Sequence, residues 1–282
     1  MNTLTKAKPL SLERDLELLK DAESYTYRTV DDAQLTAHCF FPEGHQTSDA
    51  RPAVIFFHGG LWDVSMTTQF APHAMHFASR GMVAVIVEYR VSSTAQASTA
   101  QATPENAIED GQEAMLWLKN NHTELGLDPN RITAVGAASG AHMALSLAMM
   151  PETETADGYS PRPLSVIALS AIVDTTKKGI GMERFADPKN ALQLSPSKLV
   201  KKGLCPMLLV HGKADTIVAH QNIAKFAKAM SRKKNKCELI EYEGMNHSFF
   251  NFNVSAKHFE LTLNAMDAFL VNLDCIEPVS YL

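Results

Sequence analysis

The chain has 282 residues, 45% of them hydrophobic and 20% charged, and its formal net charge at pH 7 is −5. This length and composition allow a large core, and the mild negative charge argues against a nucleic-acid or membrane-surface partner. Because the first twenty residues are polar and no apolar run is long enough to cross a membrane, we expect a cytoplasmic protein, with secretion left open if a leader has been removed.

The N-terminal part is predicted to be a polar lead-in followed by a hairpin. Residues 1–20 carry a short helical pattern near their end and precede a single domain that we predict over residues 21–275. Segments 23–30 and 34–41 alternate in polarity and are rich in Thr, Tyr and Phe, which favours two antiparallel strands.

The rest of the chain alternates between short strand-like runs and helical patterns. Mostly apolar runs, typical of strands in a parallel sheet, occur at 53–57, 82–88, 132–135, 164–170, 206–210 and 237–242. Apolar residues at helical spacing predict helices at 69–79, from Pro104 onward, after Gly140, near 219–230 and at 259–270. Residues 171–200 have weak periodicity and are interpreted as a small cap-like insertion.

Strands that alternate with helices predict an α/β fold with a mostly parallel central sheet and helices on both faces. In such sheets, ligands bind outside the carboxyl ends of the strands. Four chemically suggestive segments each follow a predicted strand and are therefore expected at one edge of the sheet: 58–62, 136–142, 211–215 and 243–247.

The second of these segments has the layout of a nucleophile elbow, G-x-S-x-G, in which a serine sits on a sharp turn between a strand and a helix. Gly136 and Gly140 have the required spacing, but Ala138 stands between them. If the neighbouring Ser139 were the nucleophile, alanines would replace both glycines and the strand-to-elbow distance would lengthen by one residue. We therefore favour Ala138 as the nucleophile position, with Ser139 as the alternative.

A serine hydrolase also needs a base and an acid that orients the base. His247 and Asp215 each follow a predicted strand, and the order 138, 215, 247 matches the order nucleophile, acid, histidine of α/β-hydrolases. Taken alone, His247 could be a surface-loop histidine and Asp215 a helix cap. Asp174 is a weaker alternative for the acid.

The segment after the first parallel strand predicts an oxyanion-binding loop. Gly59 and Gly60 let the backbone turn its N–H groups toward a developing negative charge. We expect donors within residues 59–61, chiefly Gly60 or Leu61, together with the N–H of Ser139. The side chain of Trp62 is expected either to line a substrate pocket or to pack.

These motifs together resemble the α/β-hydrolase superfamily, and within it the esterases with an H-G-G-x-W loop, which include acetyl esterases and bifunctional feruloyl esterases. The resemblance covers residues 25–273 and rests on HGGLW at 58–62, LDPNRITAVGAASGAH at 127–142, HGKADTIV at 211–218 and YEGMNHSFFN at 242–251. It implies a serine ester hydrolase that needs no metal or cofactor and acts on short acetyl or aryl esters, either small molecules or carbohydrate-linked.

The alanine at position 138 departs from this family pattern. Loss of the serine hydroxyl lowers turnover in serine hydrolases by about 10⁶-fold while leaving the pocket intact. Because Asp215 and His247 are both present, the sequence favours an inactivated serine-to-alanine form of an active esterase. The alternative is a natural non-catalytic protein that binds ligands in the same pocket.

Overall fold

The computed structural model describes residues 13–31, 33–94, 102–151 and 158–278. Its centre is a sheet of eight strands: β1 (Glu23–Val30), β2 (Ala33–Phe40), β3 (Arg51–Phe57), β4 (Val83–Val87), β5 (Leu127–Ala137), β6 (Ser165–Leu169), β7 (Met207–Gly212) and β8 (Cys237–Tyr242). Seven α-helices are described: α1 (Glu13–Leu18), α2 (Ala71–Ser79), α3 (Pro104–Asn120), α4 (Ser139–Met149), α5 (Pro188–Gln193), α6 (His220–Arg232) and α7 (Ala256–Val271).

The strands are arranged in the order β1-β2-β4-β3-β5-β6-β7-β8. Strand β2 is antiparallel to both β1 and β4, and all other neighbouring pairs are parallel. The predicted α/β fold with a mostly parallel sheet is therefore confirmed. The parallel strands β3, β5, β6, β7 and β8 bring the segments that follow them to one edge of the sheet.

Helices cover both faces of the sheet, and β3 shows why its sequence is continuously apolar. Val54 and Phe56 belong to the core between the sheet and helices α2 and α7, whereas Ile55 and Phe57 belong to the core on the side of α3, α4 and α6. All four side chains are fully buried. A strand with two covered faces has no exposed position, so alternation disappears from its sequence.

Several boundaries differ from the predicted ones because tertiary pairing extends or shortens an element. Strand β5 begins at Leu127, five residues before the predicted run at 132–135, and Leu127 pairs with Arg51 across a register shift. Helix α2 begins at Ala71, after a 3-10 turn over Thr67–Phe70. The region 171–200 contains α5 between two short 3-10 turns, and the predicted domain limits stay a prediction.

The structure also shows the state of the cysteines and the character of the helices. Cys39, Cys205, Cys237 and Cys275 are all free thiols, so the structure has no disulfide among them. Within the described ranges, no helix combines the length and the apolar character that crossing a lipid bilayer requires.

Candidate active site

Ala138 occupies the sharp turn between β5 and α4. Its backbone has φ +48° and ψ −108°, in the region that side-chain-bearing residues rarely adopt, and α4 begins at the next residue. The Ala138 N–H donates to the Leu169 carbonyl at 3.0 Å, and the Ala138 carbonyl accepts from His142 N–H at 3.1 Å. Strained backbone of this kind clusters at functional sites, and it persists only where the surrounding contacts hold it in place.

The two flanking glycines permit the turn because a side chain at either position would collide with backbone. A Cβ on Gly136 would lie 2.2 Å from the Gly140 carbonyl oxygen, and a Cβ on Gly140 would lie 2.1 Å from the Phe57 carbonyl oxygen. The G-x-A-x-G spacing is therefore a packing requirement of the turn. This geometry supports the frame in which residue 138 is the central residue of an elbow.

Ser139, the alternative nucleophile, is fully buried. Its Oγ has no hydrogen-bond partner among the described residues that meets the geometric criteria. Burial raises the pKa of Tyr89, and the nearby Ser139 side chain acts in the opposite direction. The Tyr89 hydroxyl itself donates to the His58 carbonyl at 2.7 Å. The Ser139 hydroxyl thus faces the protein interior, and the site has no accessible serine at the elbow.

His247 and Asp215 meet through a hydrogen bond of 2.8 Å between His247 Nδ1 and Asp215 Oδ2. The Asp215 side chain is completely buried, whereas the His247 side chain is 19% exposed. Because an ionised carboxylate can only accept, this bond places the proton on Nδ1 and leaves Nε2 as the basic nitrogen. Asp174, the alternative acid, instead accepts from the Thr176 N–H within its own loop.

The surroundings of Asp215 favour its charged form. Burial alone would raise the Asp215 pKa, but hydrogen bonds from His247 and from the N–H groups of Val218 and Ile217 outweigh it, so the pKa is lowered. His211 Nε2 lies 2.9 Å from the Val218 carbonyl and 3.3 Å from Asp215 Oδ2, and burial lowers the His211 pKa. His211 is therefore neutral near pH 7 and places no positive charge beside the Asp215 carboxylate.

The loop after β3 brings unpaired donors near the elbow. Leu61 and Trp62 both have positive φ, 55° and 61°, and Gly60 has φ 114° where a Cβ would lie 2.2 Å from the Val64 carbonyl oxygen. In the described part of the chain, the N–H groups of Gly60, Leu61 and Ser139 donate to no acceptor. Three such donors could stabilise an oxyanion.

One predicted site residue needs correction, and for a second the structure decides between the two alternatives. The Gly59 N–H is not free, because it donates to Gln69 Oε1 at 2.7 Å, so Gly59 does not serve as an oxyanion donor here. Trp62 does not line an open pocket, because it is only 1% exposed and packs edge-on against His142 at 5.3 Å between ring centroids. His142 is itself buried and bonded to the Leu194 carbonyl, as expected for a packing residue.

Ser170 connects the elbow to the histidine loop and was missed by the sequence reasoning. It is fully buried, has φ +45°, and follows Leu169, the acceptor for the Ala138 N–H. Its Oγ donates to the His247 carbonyl at 2.8 Å, and its N–H donates to the Val210 carbonyl at 2.8 Å. A serine at the end of a buried apolar strand was the only signal available in the sequence.

The expected absence of a metal or cofactor remains a prediction. Among the described residues, no three side chains of His, Cys, Asp or Glu are grouped as metal ligands would be. Acyl transfer uses three parts that lie after the carboxyl ends of the parallel strands: the elbow, the Asp215–His247 pair and the N–H donors.

Comparison with known proteins identifies the class to which this fold and site belong. The BD-FAE family model matches residues 39–177. Isoprenylcysteine alpha-carbonyl methylesterase from Arabidopsis thaliana is 24% identical over 222 residues, which are 70% of this chain and 50% of that protein. The chain therefore spans half the length of this curated relative.

Solved structures of an esterase from Thermogutta terrifontis match almost the entire chain. Esterase 2 modified by tabun superposes with a TM-score of 0.84 at 32% identity, covering 93% of this chain and 98% of that chain. Its propionate-bound form gives a TM-score of 0.85 with the same coverage. The chain belongs to the α/β-hydrolase family of esterases.

Proposed function

We propose that the active form of this protein is a carboxylic ester hydrolase for short acyl esters, acetyl or aryl, and that Ala138 replaces its nucleophilic serine. The observation that carries this proposal is the 2.8 Å bond between Asp215 and His247, present in a chain whose elbow has alanine at its centre. Carbohydrate-linked esters and free small-molecule esters are both compatible with this chemistry, and no metal or cofactor takes part.

In the proposed reaction, a serine at position 138 attacks the ester carbonyl and gives its proton to His247 Nε2. The negative charge that forms on the carbonyl oxygen is held by the N–H groups of Gly60 or Leu61 and of Ser139. His247 then returns the proton to the departing alcohol, and water hydrolyses the acyl-enzyme by the same sequence of proton transfers. Asp215 holds His247 in the tautomer that both steps need.

The direct test is Ala138→Ser, assayed with p-nitrophenyl acetate. We expect kcat to rise by several orders of magnitude, since restoring a serine nucleophile recovers up to about 10⁶-fold. Ala138→Gly is the matched control, because it changes the same position without supplying a hydroxyl, and it should stay inactive. Activity in the unmodified chain that Ser139→Ala abolishes would contradict the assignment of residue 138.

A second function is favoured by the alanine itself, because a chain without a nucleophile cannot form an acyl-enzyme. In this case the same site binds a ligand without turnover. The discriminating result is binding without catalysis. Calorimetry measures propionate binding to the unmodified chain and to its Ala138→Ser variant, and the variant is assayed with a panel of acetyl and aryl esters. If both forms bind propionate and the variant hydrolyses no ester, the chain is a non-catalytic binding protein.

A further inference from the structure

The loop after β3 holds two consecutive residues with side chains in the left-handed region of the backbone. Leu61 and Trp62 have φ values of 55° and 61°. Residues other than glycine adopt this region at a cost, and they remain there only where the surrounding structure holds them. We call residues 59–63 the oxyanion loop, because it carries two of the N–H donors proposed for the oxyanion. The shape of this loop therefore depends on contacts made from outside it.

The insertion that follows β6 supplies such contacts through residues 181–185. The Arg184 guanidinium forms an ion pair with the Asp63 carboxylate at the end of the oxyanion loop. The Phe185 ring packs edge-on against the Trp62 ring, with 6.0 Å between their centroids. Two neighbouring residues of the insertion thus contact two neighbouring residues of the oxyanion loop, one pair by charge and one by packing.

The Trp62 side chain is only 1% exposed, although it belongs to a loop. The backbone of Gly181 lies against the indole, because a Cβ built on Gly181 would be 2.8 Å from Trp62 Cζ3. His142 of α4 also packs edge-on against the ring, at 5.3 Å between centroids. Burial of an indole removes a large apolar area from water and so favours the backbone conformation that places the ring there. The insertion therefore helps to offset the strain at Trp62.

Backbone hydrogen bonds complete the oxyanion loop and provide reporters of its shape. The Asp63 N–H donates to the Gly60 carbonyl at 3.0 Å. The Ser92 N–H donates to the Trp62 carbonyl at 2.9 Å, and the Ser93 N–H donates to the Asp63 carbonyl at 2.8 Å. These three N–H groups are expected to exchange slowly with solvent for as long as the loop keeps this conformation.

The insertion is itself attached to helix α3. Glu105, in the first turn of α3, accepts from the Ala186 N–H at 3.1 Å and from Asn190 Nδ2 at 2.9 Å. Because Ala186 follows directly after the two contacting residues, these bonds fix the position from which Arg184 and Phe185 reach the oxyanion loop.

We propose that Arg184 and Phe185 are positioning residues for the oxyanion loop. They hold Leu61 and Trp62 in the left-handed region, and this conformation keeps the proposed donors of the loop available. The Arg184–Asp63 pair is partly exposed, so its own contribution is modest and it acts together with the ring contact. The effect on hydrolysis rests on the proposed function, whereas the effect on the shape of the loop does not.

Hydrogen exchange in the unmodified chain tests the shape of the loop without any turnover. The test variant combines Arg184→Gln with Phe185→Leu and removes both contacts while keeping similar side-chain volumes. We expect exchange of the Asp63, Ser92 and Ser93 N–H groups to become about tenfold faster or more, because local opening no longer breaks these contacts. Amide exchange followed by NMR measures each group separately.

Two controls separate positioning from a general loss of stability. Arg51→Gln removes a comparable ion pair, with Asp49 at 2.7 Å, from the opposite end of β3, and it should leave exchange of the three N–H groups unchanged. Core amides of β5 should keep their exchange rates in the test variant. Arg184→Gln alone should accelerate the three groups about threefold, and it serves as the test if the second change impairs folding.

The Ala138→Ser background then tests the consequence for turnover of p-nitrophenyl acetate. Adding both changes should lower kcat about tenfold and alter KM less than about twofold, because oxyanion donors act mainly on the transition state. Arg184→Lys keeps the positive charge and should stay within about threefold of its parent. Arg51→Gln should have no effect on kcat.

The outcomes separate this proposal from the hydrolase proposal. If Ala138→Ser is inactive but the three loop N–H groups alone exchange faster in the test variant, the hydrolase proposal fails and the positioning of the loop stands. If their exchange is unchanged, or if the β5 amides accelerate equally, the positioning proposal is overturned. An active Ala138→Ser enzyme whose kcat survives the loss of both contacts would overturn it as well.

Discussion

The Ser170 hydroxyl donates a 2.8 Å hydrogen bond to the carbonyl of His247, and thereby joins the strand beside the elbow to the loop that carries the base. Since Leu169 accepts the Ala138 N–H, the two positions of the proposed nucleophile and base are connected through two consecutive residues of one strand end. The relative position of residue 138 and His247 is thus set by hydrogen bonds to their backbone atoms rather than by the side chains that would react.

Ser170→Ala in the Ala138→Ser background should lower kcat about tenfold with little change in KM, because misplacing the base affects the reacting geometry more than binding. The control is Ser146→Ala, since Ser146 is also buried and its Oγ donates to the His142 carbonyl at 2.8 Å. Steady-state kinetics and the pH profile of kcat/KM check this. Equal losses in both variants would mean that Ser170 acts only through stability.

Asp215→Asn in the same background should lower kcat by about 10⁴-fold, because an amide no longer holds the proton on His247 Nδ1. Asp174→Asn is the matched control, and we expect it to stay within about threefold of its parent, in the range of a surface change without catalytic effect. Steady-state turnover of p-nitrophenyl acetate measures both. If Asp174→Asn were the more damaging change, the acid would be misassigned.

Gly140→Ala should destabilise the protein by about 3 kcal/mol or more, because the new Cβ would lie 2.1 Å from the Phe57 carbonyl and 2.3 Å from the His58 carbonyl. Gly111 is also a helical glycine, but its nearest neighbour would be the flexible Met143 Cε at 3.3 Å. Gly111→Ala should therefore change the free energy of unfolding by no more than about 1 kcal/mol, because helix propensity offsets the tight contact. Urea unfolding compares the two, and equal effects would contradict the packing argument.

His73 offers a test of pH-dependent stability. Burial among the rings of Phe70 and Phe259 lowers its pKa to about 3, and neither ring nitrogen has a hydrogen-bond partner among the described residues. The unfolded chain therefore binds one more proton than the folded chain between the two pKa values, and stability falls as pH drops below about 6.5.

His73→Phe removes this proton uptake. Between pH 7 and pH 5 the parent should lose about 2 kcal/mol more unfolding free energy than the variant. This is because one titrating group changes the free energy of unfolding by up to about 1.4 kcal/mol per pH unit. Urea unfolding at both pH values measures the difference. A parent and variant that lose the same free energy would show that His73 does not titrate in this way.

The sequence predicted those features that follow from local spacing. The apolar run of β3 and the glycines at 136 and 140 report burial and close backbone approach, and both depend on residues that are near in sequence. The approach of Asp215 to His247 follows from their positions after parallel strands, since such positions share one edge of the sheet.

The features that the sequence did not predict depend on contacts between distant residues. The Gly59 N–H donates to Gln69 Oε1, and the Trp62 ring packs against Phe185 of the 171–200 insertion. Ser170 bonds to a carbonyl 77 residues away. Composition and spacing do not specify such contacts, because each depends on how a loop folds over the edge of the sheet.

We have proposed that residue 138 is the nucleophile position of an esterase. Thermogutta terrifontis esterase 2 is phosphorylated by paraoxon, and the same reagent can report on this site. The measurement is intact and peptide mass spectrometry of the unmodified chain and of Ala138→Ser after exposure to paraoxon. We predict one diethyl phosphate on residue 138 of the variant and none on the unmodified chain. An adduct on Ser139, or an unlabelled variant that remains folded, would contradict the claim.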